Sequence, residues 1–327
     1  MDKNQIELKR FAESFFNEAK RNAKPDCCFL CGRAMESFCN SHTVPQFVLK
    51  NITVDGKAYN GFHFSNRNFM PNDNGLTKIL TFRMICNECD RKYFNDYENE
   101  ATLLNVPSNH LLAEIALKNA LFDLCKRLRD RETYKLFDSR LYEPLGKEIR
   151  DEANELTISD ALFCFRRSKK IIDKNLKSGF DITYYKVLDK KVPIAIQTDI
   201  TLYKCFGKMI NDIYDLSPKW RVQPLNLCVF PLAEKTVVLL FHHRDDRNMK
   251  VFDKAFLKLS DNNKLKYINY LIFRYTENFA ISPIVTEKIL DNEKLHELFT
   301  ISMINYSLEE NEDLYIDKIP NFFDLDL

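Results

Sequence analysis

At 327 residues, 45% hydrophobic and 29% charged, with 26 Phe and 14 Tyr, the chain has the composition of a folded globular protein and not of a disordered one. Only 7 Gly and 11 Pro exclude a collagen-like or linker-rich chain. A formal net charge of +1, with the same balance over residues 1–100, excludes a global basic field, so any nucleic-acid contact must come from a local patch.

The opening MDKNQIELKR has no apolar run of the kind a secretory signal carries, and the longest apolar stretches, such as Val237 to Phe241, are far too short for a bilayer span. A cytoplasmic protein without membrane contact is expected. In a reducing compartment the 10 Cys do not build a disulfide framework, which leaves metal binding as the better account of the paired ones. Residues 3–22 read as an amphipathic helix, with Ile6, Leu8, Phe11, Phe15, Phe16 and Ala19 near one stripe and Pro25 stopping it.

From about 24 to 100 the signals change to short strands and turns: PDCCFLCGR, SHTVPQFVLKN, TVDGKAYNGFHF with its DG turn, and LTKILTFRMIC. Within this segment Cys28-Phe-Leu-Cys31 and Cys86-Asn-Glu-Cys89 form two CxxC pairs, the spacing that lets two thiolates of one tight turn reach the same tetrahedral metal. A closed four-thiolate zinc site is expected, with Cys27 as the rival to Cys28 through a CxxxC arrangement. Such a site has no open coordination position, so its zinc stabilises the fold and performs no chemistry. The loop from Gly32 to Ile85 is much longer than the roughly 15 to 20 residues of a simple zinc ribbon, so something folded must sit inside it.

Helical periodicity resumes near Cys86 to Glu100 and again after Ser108, a candidate N-cap, with Leu111, Leu112, Ile115, Leu121, Phe122 and Cys125 at helical spacing. The polar stretch 142–157 is the best boundary. Beyond it FDITYYKVL, KVPIAIQTDI, PLNLCVF and EKTVVLLFHH read as strands, the last two as a hairpin around Ala233 to Lys235. Ser260 then caps a long helix, and a final helix is expected at about 284–298. The fold class is α+β, with a helix at 1–23, a zinc-binding unit at 24–105, a helical bridge at 106–150, an α+β domain at 151–307 and an acidic tail at 308–327. The tail reads as solvated, although Phe322 and Phe323 could dock on the body.

Ser41-His42-Thr43-Val44-Pro45 follows the first cysteine pair, and Asp90-Arg-Lys-Tyr-Phe94-Asn-Asp-Tyr97-Glu98 follows the second. This order of CxxC, His with a nearby Pro, and CxxC running into a helix resembles the HNH endonucleases over about residues 24–100. More narrowly it is similar to a bacterial SHxxP subgroup, some members of which are associated with anti-phage defence. The resemblance implies a zinc-stapled ββα-metal, treble-clef-like unit and hydrolysis of DNA. By it, His42 is the general base and Asp90 a ligand of a catalytic Mg²⁺ or Mn²⁺.

Phosphodiester hydrolysis gives those roles a reason. It needs a base to activate water and a cation to neutralise phosphoryl and leaving oxygens. A neutral imidazole with a pKa of about 6.5 suits the first role and a carboxylate holding a hard ion the second. Because Asp90 directly follows Cys89, the zinc would set the distance between them.

The chain departs from the family pattern where many members carry an acidic residue just before the histidine. Here that place is Ser41, preceded by Asn40. The family's middle asparagine has four candidates, Asn66, Asn68, Asn72 and Asn74. Asp90 also has the bland reading of a helix N-terminal cap, Glu98 that of a salt-bridge partner and His63 that of a sheet-face residue. His242, His243, Asp245 and Asp246 point to alternate faces of a strand and so make a poor metal set. Trp220 reads as packing before base stacking.

The expectation is therefore a metal-dependent DNA endonuclease. Its C-terminal domain would recognise the target, bind a protein partner or pair with a second copy of the chain. The alternative is a catalytically inactive zinc-finger module that binds DNA or protein.

Overall fold

The computed structural model describes residues 3–61, 75–140, 146–217, 219–304 and 312–327. Its first half holds α1 (Lys3–Asn22), β1 (Ser41–His42), α2 (Gln46–Lys50), β2 (Tyr59–Asn60), β3 (Thr81–Phe82), α3 (Asn87–Tyr93), α4 (Glu100–Leu103), α5 (Asn109–Arg140) and α6 (Lys147–Asp173). There follow β4 (Phe180–Leu188), β5 (Ile194–Ile200), β6 (Lys204–Cys205), β7 (Lys208–Met209), β8 (Leu225–Pro231) and β9 (Thr236–His243). The chain closes with α7 (Met249–Phe256), α8 (Asp261–Tyr275), β10 (Phe279–Ile281), α9 (Glu287–Leu290), α10 (Glu293–Ile304) and α11 (Asp313–Ile316). The result is a mixed helix and sheet protein with a four-cysteine cluster near its N-terminus. Among the described residues, no helix is long and apolar enough to cross a membrane.

An antiparallel sheet of order β2-β10-β5-β8-β9-β4 forms the middle layer. Its central strands β8 and β9 are largely apolar because both faces are covered. Leu225, Leu227, Val229, Val238 and Leu240 face α7, α8 and α10. Cys228, Phe230, Val237, Leu239 and Phe241 face the opposite way, into a core shared with α5, α6 and the cysteine-rich segment. Leu117 and Leu121 of α5 are fully buried in that core, where truncation to Ala costs about 2–5 kcal/mol.

Local chemistry accounts for the elements that were legible. Ser108 Oγ accepts from Leu111 N at 3.2 Å at the start of α5, and Ser260 Oγ from Asn263 N at 3.3 Å at the start of α8. The DG turn places Asp55 and Gly56 at φ 52° and 70°, with Val54 and Lys57 exchanging backbone bonds of 3.0 and 2.9 Å, the pattern of a hairpin turn. The β8–β9 hairpin closes as expected, with Leu232 N donating to Lys235 O at 2.7 Å.

Other expectations are corrected. Gln46–Lys50 is helical and not extended: Pro45, with φ −51°, stands as its N-cap, and its carbonyl accepts from Leu49 N at 3.1 Å to close the first turn. The helix expected over 86–100 ends at Tyr93, where the chain turns to bury Phe94 and Tyr97 before α4 starts at Glu100. The boundary expected at 150/151 lies inside α6, whose first turns look polar because they face solvent. Its buried side chains begin at Asn154 and recur through Ile158, Ala161, Phe165 and Ser168. The final helix is divided into α9 and α10. The C-terminal tail docks, with Phe322 and Phe323 buried, the Phe322 ring 5.1 Å from that of Phe273, and Phe322 N donating to Asn269 Oδ1 at 3.1 Å. Residues 24–105 also feed the main sheet, since β2 is its edge strand beside β10.

Candidate metal centre and adjoining cleft

Cys28, Cys31, Cys86 and Cys89 bring their sulfurs within 4.8 Å of one another, and Cys31 and Cys86 Sγ lie 4.0 Å apart. Zinc–sulfur bonds of about 2.3 Å put tetrahedral sulfurs roughly 3.8 Å apart, so the group could hold a structural zinc ion with little adjustment. The two turns are built for it. Gly32, at φ 71°, turns the first pair back on itself, and its N–H donates to Cys28 O at 2.8 Å. Cys86 N donates to Cys28 Sγ at 3.3 Å, and Cys89 N to Cys86 Sγ at 3.4 Å.

Burial opposes ionisation of the Cys28 thiol, yet the amide donors of Cys31, Cys86 and Leu30 outweigh it and bring its pKa down to about 7. Burial and the neighbouring sulfurs push Cys89 the other way, as expected for thiols crowded together without a cation. Cys27 is exposed, forms an isolated bridge with Ala34 and stands outside the group.

Next to this cluster β1 pairs with β3 in the register Ser41 with Phe82 and His42 with Thr81. The pairing carries His42 into a cleft of about 390 Å³ lined also by Asn40, Gln46, Phe47, Thr77, Asp90 and Glu98. Burial holds the His42 pKa below its ordinary value, which keeps the imidazole neutral. Its Nε2 lies 2.9 Å from Leu76 O, and a carbonyl only accepts, so Nε2 carries the proton and Nδ1 is the basic nitrogen.

Asp90 lines the same cleft from the first turn of α3, where Cys86, and not Asp90, is the N-cap. Its oxygens are engaged. Ser41 Oγ donates to Oδ1 at 2.6 Å, Cys39 Sγ approaches Oδ2 at 3.6 Å, and Lys118 Nζ of α5 stands 3.6 Å from Oδ1. Burial and the Asp90 charge push the Cys39 thiol up to about 12, so it stays protonated and donates. Lys118 also pairs with Glu98 Oε1 at 3.0 Å, which bears out the salt-bridge reading of Glu98. As packed, these residues do not fit a divalent ion: the Lys118 ammonium already pairs with both carboxylates and offsets one of their two charges, and Ser41 adds none. Among the described residues, His42, Asp90 and Glu98 do not form a ligand group.

Lys118 is the participant that the sequence reading missed. A signal exists, because Leu111 to Leu121 is buried throughout, and a lysine inside such a segment must find partners. Of the other expected residues, Asn66, Asn68, Asn72, Asn74 and His63 lie outside the described residues. His242 and His243 diverge as expected, the first to Asp253 and the second against the Phe180 ring. Trp220 is half-buried, with its backbone carbonyl accepting from Arg221 at 3.3 Å. Comparison of the chain with family models, with curated proteins and with solved structures finds no match.

Proposed function

We propose that this protein is an HNH-type endonuclease hydrolysing DNA phosphodiester bonds in the His42 cleft, with the four-cysteine zinc as its frame. One observation carries the reading: a neutral histidine of fixed tautomer and Asp90, the residue after the zinc ligand Cys89, line one solvent-open cleft. Bound zinc would be held by Cys28, Cys31, Cys86 and Cys89 and would supply rigidity. His42 Nδ1 takes a proton from a water, whose oxygen forms a bond to phosphorus as the bond to the leaving oxygen breaks and that oxygen takes up a proton from solvent. The Leu76 carbonyl holds the ring in the tautomer this step needs. Asn40, Gln46 and Thr77 offer neutral polar groups around the phosphodiester. A divalent ion would have to displace Lys118 from Asp90 and Glu98 before it could serve this chemistry.

In a cell this reading makes the chain an effector of anti-phage defence, with residues beyond the zinc-binding segment recognising the target or a partner. Plasmid nicking by zinc-loaded protein, with His42→Ala as control, tests it. A second reading, a zinc-finger module that binds DNA or protein without cleaving, is favoured by the engagement of Asp90 and Glu98 with Lys118. It requires nucleic-acid or protein binding that His42→Ala leaves unchanged, with no cleavage.

A further inference from the structure

Lys118 is 1% exposed, in the middle of the buried stretch of α5. An ammonium is stable there only where other groups replace the water it has lost. Four do so: Glu98 Oε1 at 3.0 Å, Asp90 Oδ1 at 3.6 Å, and the ring faces of Phe94 and Tyr97 at 4.4 and 5.0 Å from their centroids. The two carboxylates are those that line the His42 cleft, Asp90 from α3 and Glu98 from the turn between α3 and α4. Lys118 therefore sits on the protein side of the cleft and the open volume on the other, with Asp90 and Glu98 between.

We propose that Lys118 is the resident cation of this cleft, a positioning residue that holds Asp90 and Glu98 together and keeps a divalent ion from binding between them. An ion bridging both carboxylates would stand within a few ångströms of an ammonium that solvent cannot screen, and the repulsion at that range is large. The neighbouring positions add nothing to offset it. Ser41 gives Asp90 a hydroxyl in the place where an acid would add a second charge, and Cys39 remains a protonated thiol. A lysine that merely stapled α5 to the zinc-binding segment would leave metal affinity unaltered when replaced by an apolar side chain of equal length. The inference rests on the endonuclease reading only for the importance of the cleft, and it concerns metal binding and not cleavage, so the two can fail separately.

The test follows Mn²⁺ through paramagnetic broadening of the His42 ring protons in the zinc-loaded full chain. Wild-type signals are expected to stay sharp up to millimolar Mn²⁺. In Lys118→Met they are expected to broaden at Mn²⁺ concentrations lower by at least roughly tenfold. Broadening of the wild-type signals below millimolar Mn²⁺ overturns the proposal, whether or not the variant folds. So does a Lys118→Met protein with wild-type zinc content and melting behaviour whose His42 signals remain as sharp as those of the wild type.

Discussion

Ser41 Oγ donates to Asp90 Oδ1 at 2.6 Å, so the strand that ends in His42 is fastened to the helix that begins at the second cysteine pair. Both halves of the cleft are set by this bond as well as by the metal centre. Ser41 is 1% exposed, and water cannot take the place of its hydroxyl. Ser41→Ala is expected to lower stability by about 1–3 kcal/mol, the range for a buried hydrogen bond to a charged group. Urea denaturation checks it, and a midpoint equal to the wild type's would show that the bond is not a fastening.

Metal removal should act on the same region. Chelation, or Cys86→Ser, is expected to loosen the cysteine-rich segment while the β8–β9 hairpin keeps more of its protection, because the hairpin's other face packs on α7, α8 and α10 in a core that contains none of the four cysteines. Hydrogen exchange read by mass spectrometry resolves the two. Cys27→Ala should retain full zinc content by elemental analysis, and loss of zinc in that variant would reinstate Cys27 as a ligand.

A pH dependence follows from His242, which is fully buried with Nε2 at 2.8 Å from Asp253 Oδ2 and Nδ1 at 2.9 Å from His243 O. Burial opposes its charge, but Asp253 and the His243 carbonyl outweigh it and raise its pKa above 6.5. A raised folded pKa stabilises fully below the unfolded value of about 6.5, and the contribution is lost as pH rises through the folded value. The melting-temperature advantage of wild type over Asp253→Asn should therefore be largest near pH 6 and shrink on the alkaline side. An advantage that grows with pH would reverse the assignment.

Glu114 gives the opposite test. It accepts from Tyr97 N at 2.9 Å, and burial, with Asp96 nearby, pushes its carboxyl up to about 7. Between the unfolded value of 4.5 and about 7 the folded state holds the extra proton, so stability falls as pH rises across that window. Glu114→Gln is expected to raise stability by on the order of 2 kcal/mol above pH 7 and to change little near pH 4.5. Equal effects at both pH values would contradict this.

The parts of the fold legible in the sequence were those fixed locally. Each CxxC turn is defined within four residues, Asp55–Gly56 fixes its own hairpin, and β8 and β9 show as a strand pair through apolar runs on either side of a short turn. What stayed hidden depends on distant partners. The edge pairing of β2 with β10 joins short strands from opposite ends of the chain, and the start of α6 is polar because it is solvated. The cleft divides in the same way. His42 and Asp90 stood out through the order of motifs around the two cysteine pairs, whereas Lys118 looks like any helical lysine until α5 is seen to be buried around it.

The role of His42 in cleavage is the claim on which the rest depends, and plasmid nicking by the zinc-loaded protein, in buffers with and without Mg²⁺ or Mn²⁺, measures it. Wild type is expected to convert supercoiled plasmid to nicked circles in at least one of these buffers. His42→Ala, with the same zinc content and melting temperature, is expected to be slower by about 10²–10⁴-fold, the usual contribution of a general base. No cleavage by wild type in any of them, or equal rates for wild type and His42→Ala, would contradict that role.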